Sequence, residues 1–281
     1  MNDPGNDRLF CWQQIERNDP LFRVTHAFSH PDFADRVLAA NAFLSATGEI
    51  CAMVSDPGVA ARKLAWWREE LNGGAGSGRP HPITAELRRS GAYELLGRDS
   101  LVRHFEQAAL RIDPSPLHSL DELLVRCQQI GQAALEMECA VCGVNPARET
   151  WLSAAAIRRG MMQLVIEDLR RKDAWWAPLQ LLARERVSRN EINNSENARA
   201  ERRLMMGILQ DERFGLTHSN RDISDANHRA RRLICNDYLL IRKLRNKKFN
   251  SRVERENLLS KTSPLDVLTC WRVARRLNPS R

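Results

Sequence analysis

Apolar residues recur at three- and four-residue spacing along most of the chain. No stretch alternates apolar and polar positions with the period of two that a strand requires. The fold class predicted is all-α. Residues 33–55 are alanine-rich, with Val37, Leu44, Cys51 and Val54 spaced for one helix face. Asp56-Pro57-Gly58 ends that helix by turn chemistry, and residues 59–71 form the next, which carries Trp66-Trp67-Arg68. Asn72 to Pro80 predicts a loop, because glycine-dense segments lose much entropy on ordering. Residues 83–111 predict two helices broken near Gly91 or Gly97, and the Asp113–Pro116 stretch is a stop. Ser119 then offers an N-cap, and Asp121 and Glu122 suit the positive end of a helix dipole. The stripe that follows runs Leu120, Leu123, Leu124, Cys127, Ile130, Ala134, Val141 and closes at Gly143. Further helices are predicted over 150–170, 175–193, about 196–212, 226–246 and 264–276. No fixed-period repeat or compositional break divides the chain, so residues 1–281 read as a single helical domain.

Composition narrows this picture. Apolar content of 43% is ordinary for a globular protein. No run approaches the roughly 20 apolar residues of a membrane span, and the first residues have neither a signal-peptide core nor a basic amphipathic pattern. The compartment expected is the cytoplasm, with peripheral contact at a membrane left open. Seven cysteines, odd in number and scattered, predict reduced thiols. Cys139 and Cys142 form a lone CxxC on an apolar stripe. With no second ligand pair for zinc, they read as buried helix cysteines.

The net charge of +8 is unevenly placed: residues 221–256 hold eleven Lys/Arg against five Asp/Glu. A solvated basic face is the plain reading, while an anionic membrane or a diphosphate are the candidate partners. Nucleic acid is disfavoured, because only Tyr238 and Phe249 interleave with the charges.

The order of features from Ala42 to Ile83 is helix, Asp-Pro-Gly break, Trp-Trp-Arg helix, glycine-rich loop and His81-Pro82-Ile83. It resembles the front half of squalene/phytoene synthase family proteins, especially the branch containing the mitochondrial complex I assembly factor. The resemblance continues through Arg17 to Pro20, Ser119 to Leu123 with Gly131 and Gly143, Trp175 to Leu182, Val187 to Ile192, Asp237 to Arg242, and Ser260 to Trp271. About three quarters of the chain can be laid on the family in order. The resemblance implies an isoprenoid-synthase-like helical bundle around a central cavity. It also implies the joining of two prenyl diphosphates, with Mg²⁺ neutralising the leaving diphosphate, held by two facing Asp-rich motifs.

Those motifs are eroded. Ala46 and Ala52 stand where related proteins often have acids, and Glu49 is the only acid between Asp35 and Asp56. Glu49 reads as a solvent or salt-bridge residue, or else as a metal ligand. Asn41, Ser45, Gly48 and Ala52 form a small-residue stripe suited to helix packing or to a pocket floor. The second motif is replaced by Glu167-Asp168-Leu-Arg-Arg-Lys-Asp173, whose aspartates are five apart rather than four. This turns them about 140° from each other on a helix. Asp168 lies on an apolar face and needs a partner. Arg158 shares roughly that face, ten residues away.

Two readings follow. In the first, the protein has lost catalysis and binds an isoprenoid lipid, a membrane surface or a protein partner. In the second it is an active prenyltransferase, with Glu49, Glu167, Asp168 and Asp173 as Mg²⁺ ligands and Arg170, Arg171 and Lys172 as candidates to bind a prenyl diphosphate.

Overall fold

A short polar side chain or a proline sets the start of helix after helix. Asp56 accepts a hydrogen bond from the Val59 amide at 2.8 Å, and Ser119 accepts from Glu122 at 3.2 Å. His81 Nδ1 accepts from Ile83 at 3.2 Å, just ahead of Pro82 at the first helical position. Ser263 and Asp266 form a reciprocal capping box. The computed structural model describes residues 4–19, 21–73, 78–112, 115–148, 151–171, 176–193, 198–216, 228–246 and 252–277.

Over these residues the chain is helical and has no strand. The helices are α1 (Pro4–Asn18), α2 (Phe22–His26), α3 (Pro31–Met53), α4 (Pro57–Leu71), α5 (Pro82–Arg89), α6 (Ala92–Leu96), α7 (Arg98–Ile112) and α8 (Leu120–Cys142). After them come α9 (Leu152–Arg171), α10 (Leu179–Glu185), α11 (Arg189–Asn193), α12 (Ala198–Leu209), α13 (Arg231–Leu244), α14 (Arg252–Ser260) and α15 (Pro264–Arg276).

The all-α expectation holds. Both Gly91 and Gly97 break the helix, with φ of 72° and 66°, so three helices stand where two were expected. The expected 175–193 helix is likewise split, at Arg186 with φ 53°. The sequence pattern did not predict α1, α2 or α14.

Helix α3 is the centre of the bundle. It packs against α1, α5, α7, α8 and α9, so Val37 to Ala40, Ala42 and Phe43 are buried on every side. Over this middle stretch burial all round replaces the single apolar face expected, while Leu44 and Glu49 beyond it are half-buried and Met53 is exposed.

Helices α8 and α9 form the closest crossing. A Cβ on Gly160 would lie 2.6 Å from the Cys127 carbonyl carbon, and one on Gly131 would lie 2.7 Å from that of Ala156. Backbone meets backbone there, which only glycine allows. All seven cysteines are free and buried, including Cys139 and Cys142. Of the tryptophan pair on α4, Trp67 is buried in the core and Trp66 is 39% exposed.

Candidate functional site

Five helices enclose a small polar cavity of about 60 Å³. Helix α3 contributes Asn41, Ser45, Gly48 and Glu49, and α7 contributes His104, Gln107 and Arg111. Helix α9 contributes Arg159, Gln163 and Arg170, while Asn18 and Asp19 close it from the end of α1. It is much the smaller of two adjoining cavities. The small-residue stripe of α3 serves both expected purposes. Asn41, Ser45 and Gly48 floor the cavity, and Ser45 also donates to the Gln14 carbonyl at 2.9 Å, holding α1 close.

A second pocket of about 380 Å³ shares Asn18, Asp19, Arg159, Gln163, Ile166 and Arg170 with the first. Its apolar wall comes from Leu21, Met162, Leu169, Leu240 and Leu259. Ala46, where an acid was expected by resemblance, faces neither. It lines a separate pocket with Trp66, Trp67 and His81.

The acids named from the sequence sit in different surroundings. Glu49, half-buried, accepts amide hydrogen bonds from Gln14 at 2.5 Å and Asn18 at 3.3 Å. Glu167 is fully buried and bound by Arg111, with contacts of 2.5 and 2.9 Å, while Gln163 donates to the same oxygen at 3.0 Å. Asp168, the next residue on α9, is also buried. Arg158 belongs to another acid: it forms two bonds to Asp237 on α13, at 2.7 and 2.6 Å, and donates to the Phe214 carbonyl. Arg170 lines both cavities and donates to the Arg17 carbonyl at 2.8 Å. Arg171 points elsewhere, donating to the carbonyls of Cys51 and Arg111 at 3.3 and 3.0 Å and so tying the ends of α3 and α7 to α9. Lys172 and Asp173 lie outside the described residues.

Magnesium wants several oxygen ligands in near-octahedral array. The described residues do not fit it. Glu49 is engaged by amides and Glu167 by an arginine, and Asp19 lies 4.0 Å from Arg159. Among the described residues no three His, Cys, Asp or Glu side chains come together as a metal-binding group.

Sequence reasoning missed several buried charges around the cavities. Glu138 of α8 is fully buried between Arg232 of α13 at 2.8 Å and Arg159 of α9 at 3.4 Å. Burial opposes its charge, yet the two arginines overcome this and hold its carboxyl below the usual range. The basic segment is not simply a solvated face. Arg232, Lys243 and Arg255 are buried, against Glu138, Asp266 and Glu201 respectively. Burial lowers the proton affinity of Arg170, with Glu49 and Glu167 pulling the other way. A usable signal was present in the sequence: Glu138, Arg158 and Arg159 interrupt otherwise apolar helical stripes.

His104 beside the cavity stays neutral. Its Nε2 is 2.7 Å from the Thr47 hydroxyl, and burial, aided by Arg111, pushes its pKa down to about 3. Burial, with Arg232 and Arg8, pushes His26 down to about 4. Unfolded, each takes a proton near 6.5. Below that pH the unfolded chain binds more protons than the folded one, so stability falls as pH drops, by up to about 1.4 kcal/mol per pH unit per histidine. Urea midpoints should therefore decline from pH 6.5 to 5. His104→Gln, which keeps a hydrogen-bonding group but cannot titrate, should flatten that decline; an unchanged slope would exclude His104 as its source.

No curated protein matches the chain. The family model for squalene/phytoene synthase matches residues 15–245, a span that holds the whole lining of the smaller cavity and all of the larger one's except Glu256 and Leu259 of α14. With this match over most of its length, the chain belongs to the squalene/phytoene synthase family.

Proposed function

We propose that this family member does not condense prenyl diphosphates and instead binds an isoprenoid lipid with an anionic head, without magnesium. The observation that carries the reading is the Arg111–Glu167 pair: the buried carboxylate facing the centre of the bundle is already neutralised by an arginine. Two nitrogens of that guanidinium and the Gln163 amide all meet one Glu167 oxygen, so a metal there would share the carboxylate with a cation. Three arginines line the larger pocket, Arg17, Arg159 and Arg170, beside the carboxylates of Glu16, Asp19 and Glu256, and the two on α9 are less fully matched. Arg170 has a carbonyl as its direct partner, and Arg159 lies 3.4 and 4.0 Å from its two carboxylates. A phosphate between them gains charge-assisted hydrogen bonds. The pocket of about 380 Å³ falls in the size range of ligand sites, and its leucines suit an isoprenoid tail.

The test is thermal unfolding with farnesyl diphosphate, with magnesium and with EDTA, alongside an assay for diphosphate release. A ligand that binds only the folded state at a hundred times its Kd stabilises by about 2.7 kcal/mol, a rise of about 5 °C or more for a chain of this size. The expected result is an equal rise in both conditions, lost in Arg170→Gln, with no diphosphate released. A rise that needs magnesium, or turnover, would establish the condensing enzyme instead.

A further inference from the structure

Helix α15 turns its only carboxylate inward. Asp266 is buried, receives Arg242 at 2.8 Å and Lys243 at 3.1 Å, and closes the cap with Ser263. Cys270 and Val273 share this inner side, where α15 packs on α13. Every exposed residue of the helix is apolar or arginine. After Pro264 come Leu265, Val267, Leu268 and Trp271 over the first two turns, then Arg272, Arg275 and Arg276 in the last. Leu265 is 60% and Trp271 47% exposed. At about 100° per residue the four large apolar side chains cover an arc of roughly 160°. The Arg275 guanidinium lies over the Trp271 ring at 4.8 Å. Among the described residues these three arginines form no ion pair.

We propose that this face of α15 docks the protein on an anionic membrane leaflet. The helix lies along the surface, because no helix among the described residues is long and apolar enough to cross. Leu265, Val267 and Leu268 enter the acyl boundary, and Trp271 sits at headgroup level, where indoles concentrate. The arginine forks meet lipid phosphates. The face fits a bilayer better than a folded partner. A protein interface carries about one hydrogen bond per 100–200 Å², and apart from its arginines this face offers only the Trp271 indole N–H as an exposed hydrogen-bonding side chain, with no acceptor. The chain's charge of +8 supplies the long-range attraction. This inference does not depend on the pocket ligand.

The experiment is co-sedimentation of the full chain with vesicles of phosphatidylcholine alone and with added phosphatidylserine, at low and high salt. Binding is expected only to the anionic vesicles and should weaken with salt. Leu268→Glu/Trp271→Glu and Arg272→Gln/Arg275→Gln/Arg276→Gln should each reduce it by at least about tenfold. Both variants change exposed positions, so their melting temperatures and their response to farnesyl diphosphate should match the parent chain. No binding of the parent chain, or undiminished binding of both variants, overturns the proposal. So does a parent dimer that dissociates in the variants without any vesicle binding, which would assign the face to a second copy. Vesicle binding lost in Arg170→Gln but kept in the α15 variants would move the lipid contact to the pocket.

Discussion

Gly160→Ala should abolish the native bundle or destabilise it by about 3 kcal/mol or more. Overpacking a well-filled core costs roughly 1–3 kcal/mol when side chains can shift, and here they cannot. The added methyl would meet backbone, lying 2.6 Å from the Cys127 carbonyl carbon and 2.7 Å from its Cα. Relief therefore requires α8 and α9 to part along their crossing, which loosens the packing of both against α3. Gly131→Ala acts on the same seam from the other helix, through Ala156 and Gly160. Urea unfolding followed by circular dichroism measures both. A Gly160→Ala protein within about 0.5 kcal/mol of the parent would show that the crossing can open without cost.

Arg111→Met should cost about 3–5 kcal/mol, the range for leaving one member of a buried ion pair without its partner. Among the described residues Glu167 would then be a fully buried carboxylate with the Gln163 amide as its one donor. Arg111→Met/Glu167→Leu should regain most of that loss, because an apolar pair of similar volume avoids the desolvation that both ions now suffer. The cycle is read from the four unfolding free energies. If the double variant is no more stable than Arg111→Met, the pair is not the source of the loss. Glu167→Gln should be milder than Arg111→Met, since the amide can still accept from the guanidinium.

The helices that the sequence revealed are those with a sharp start and a clean stripe. Helix α8 has Ser119 at one end and Gly143 at the other, α4 has Asp56, and α15 has Ser263 with Pro264. Helix α1 escaped because its pattern is blurred: Asp7 and Gln14 are buried while Leu9 is 54% exposed. Helix α14 escaped because its inner face carries a cation, Arg255, buried against Glu201 of α12.

The site was legible only as a departure from an expected pattern. The missing acids at Ala46 and Ala52 could be seen in one dimension. The buried ion pairs could not, because Arg111 and Glu167 are 56 residues apart and Arg158 and Asp237 are 79 apart. Nothing local in the sequence says which arginine faces which acid.

The arrangement around Glu138 has a consequence for how the molecule opens. Its carboxylate on α8 is held by Arg159 of α9 and Arg232 of α13, three helices meeting at one fully buried charge. Parting any one of them leaves a buried charge short of a partner, so opening a single helix carries an electrostatic cost shared by all three. Amide hydrogens in the middle of α8, α9 and α13 should therefore exchange with solvent deuterium at one shared, slow rate, as a single cooperative unit. The short helices α10 and α11, which carry no such anchor among their described ion pairs, should exchange earlier and independently.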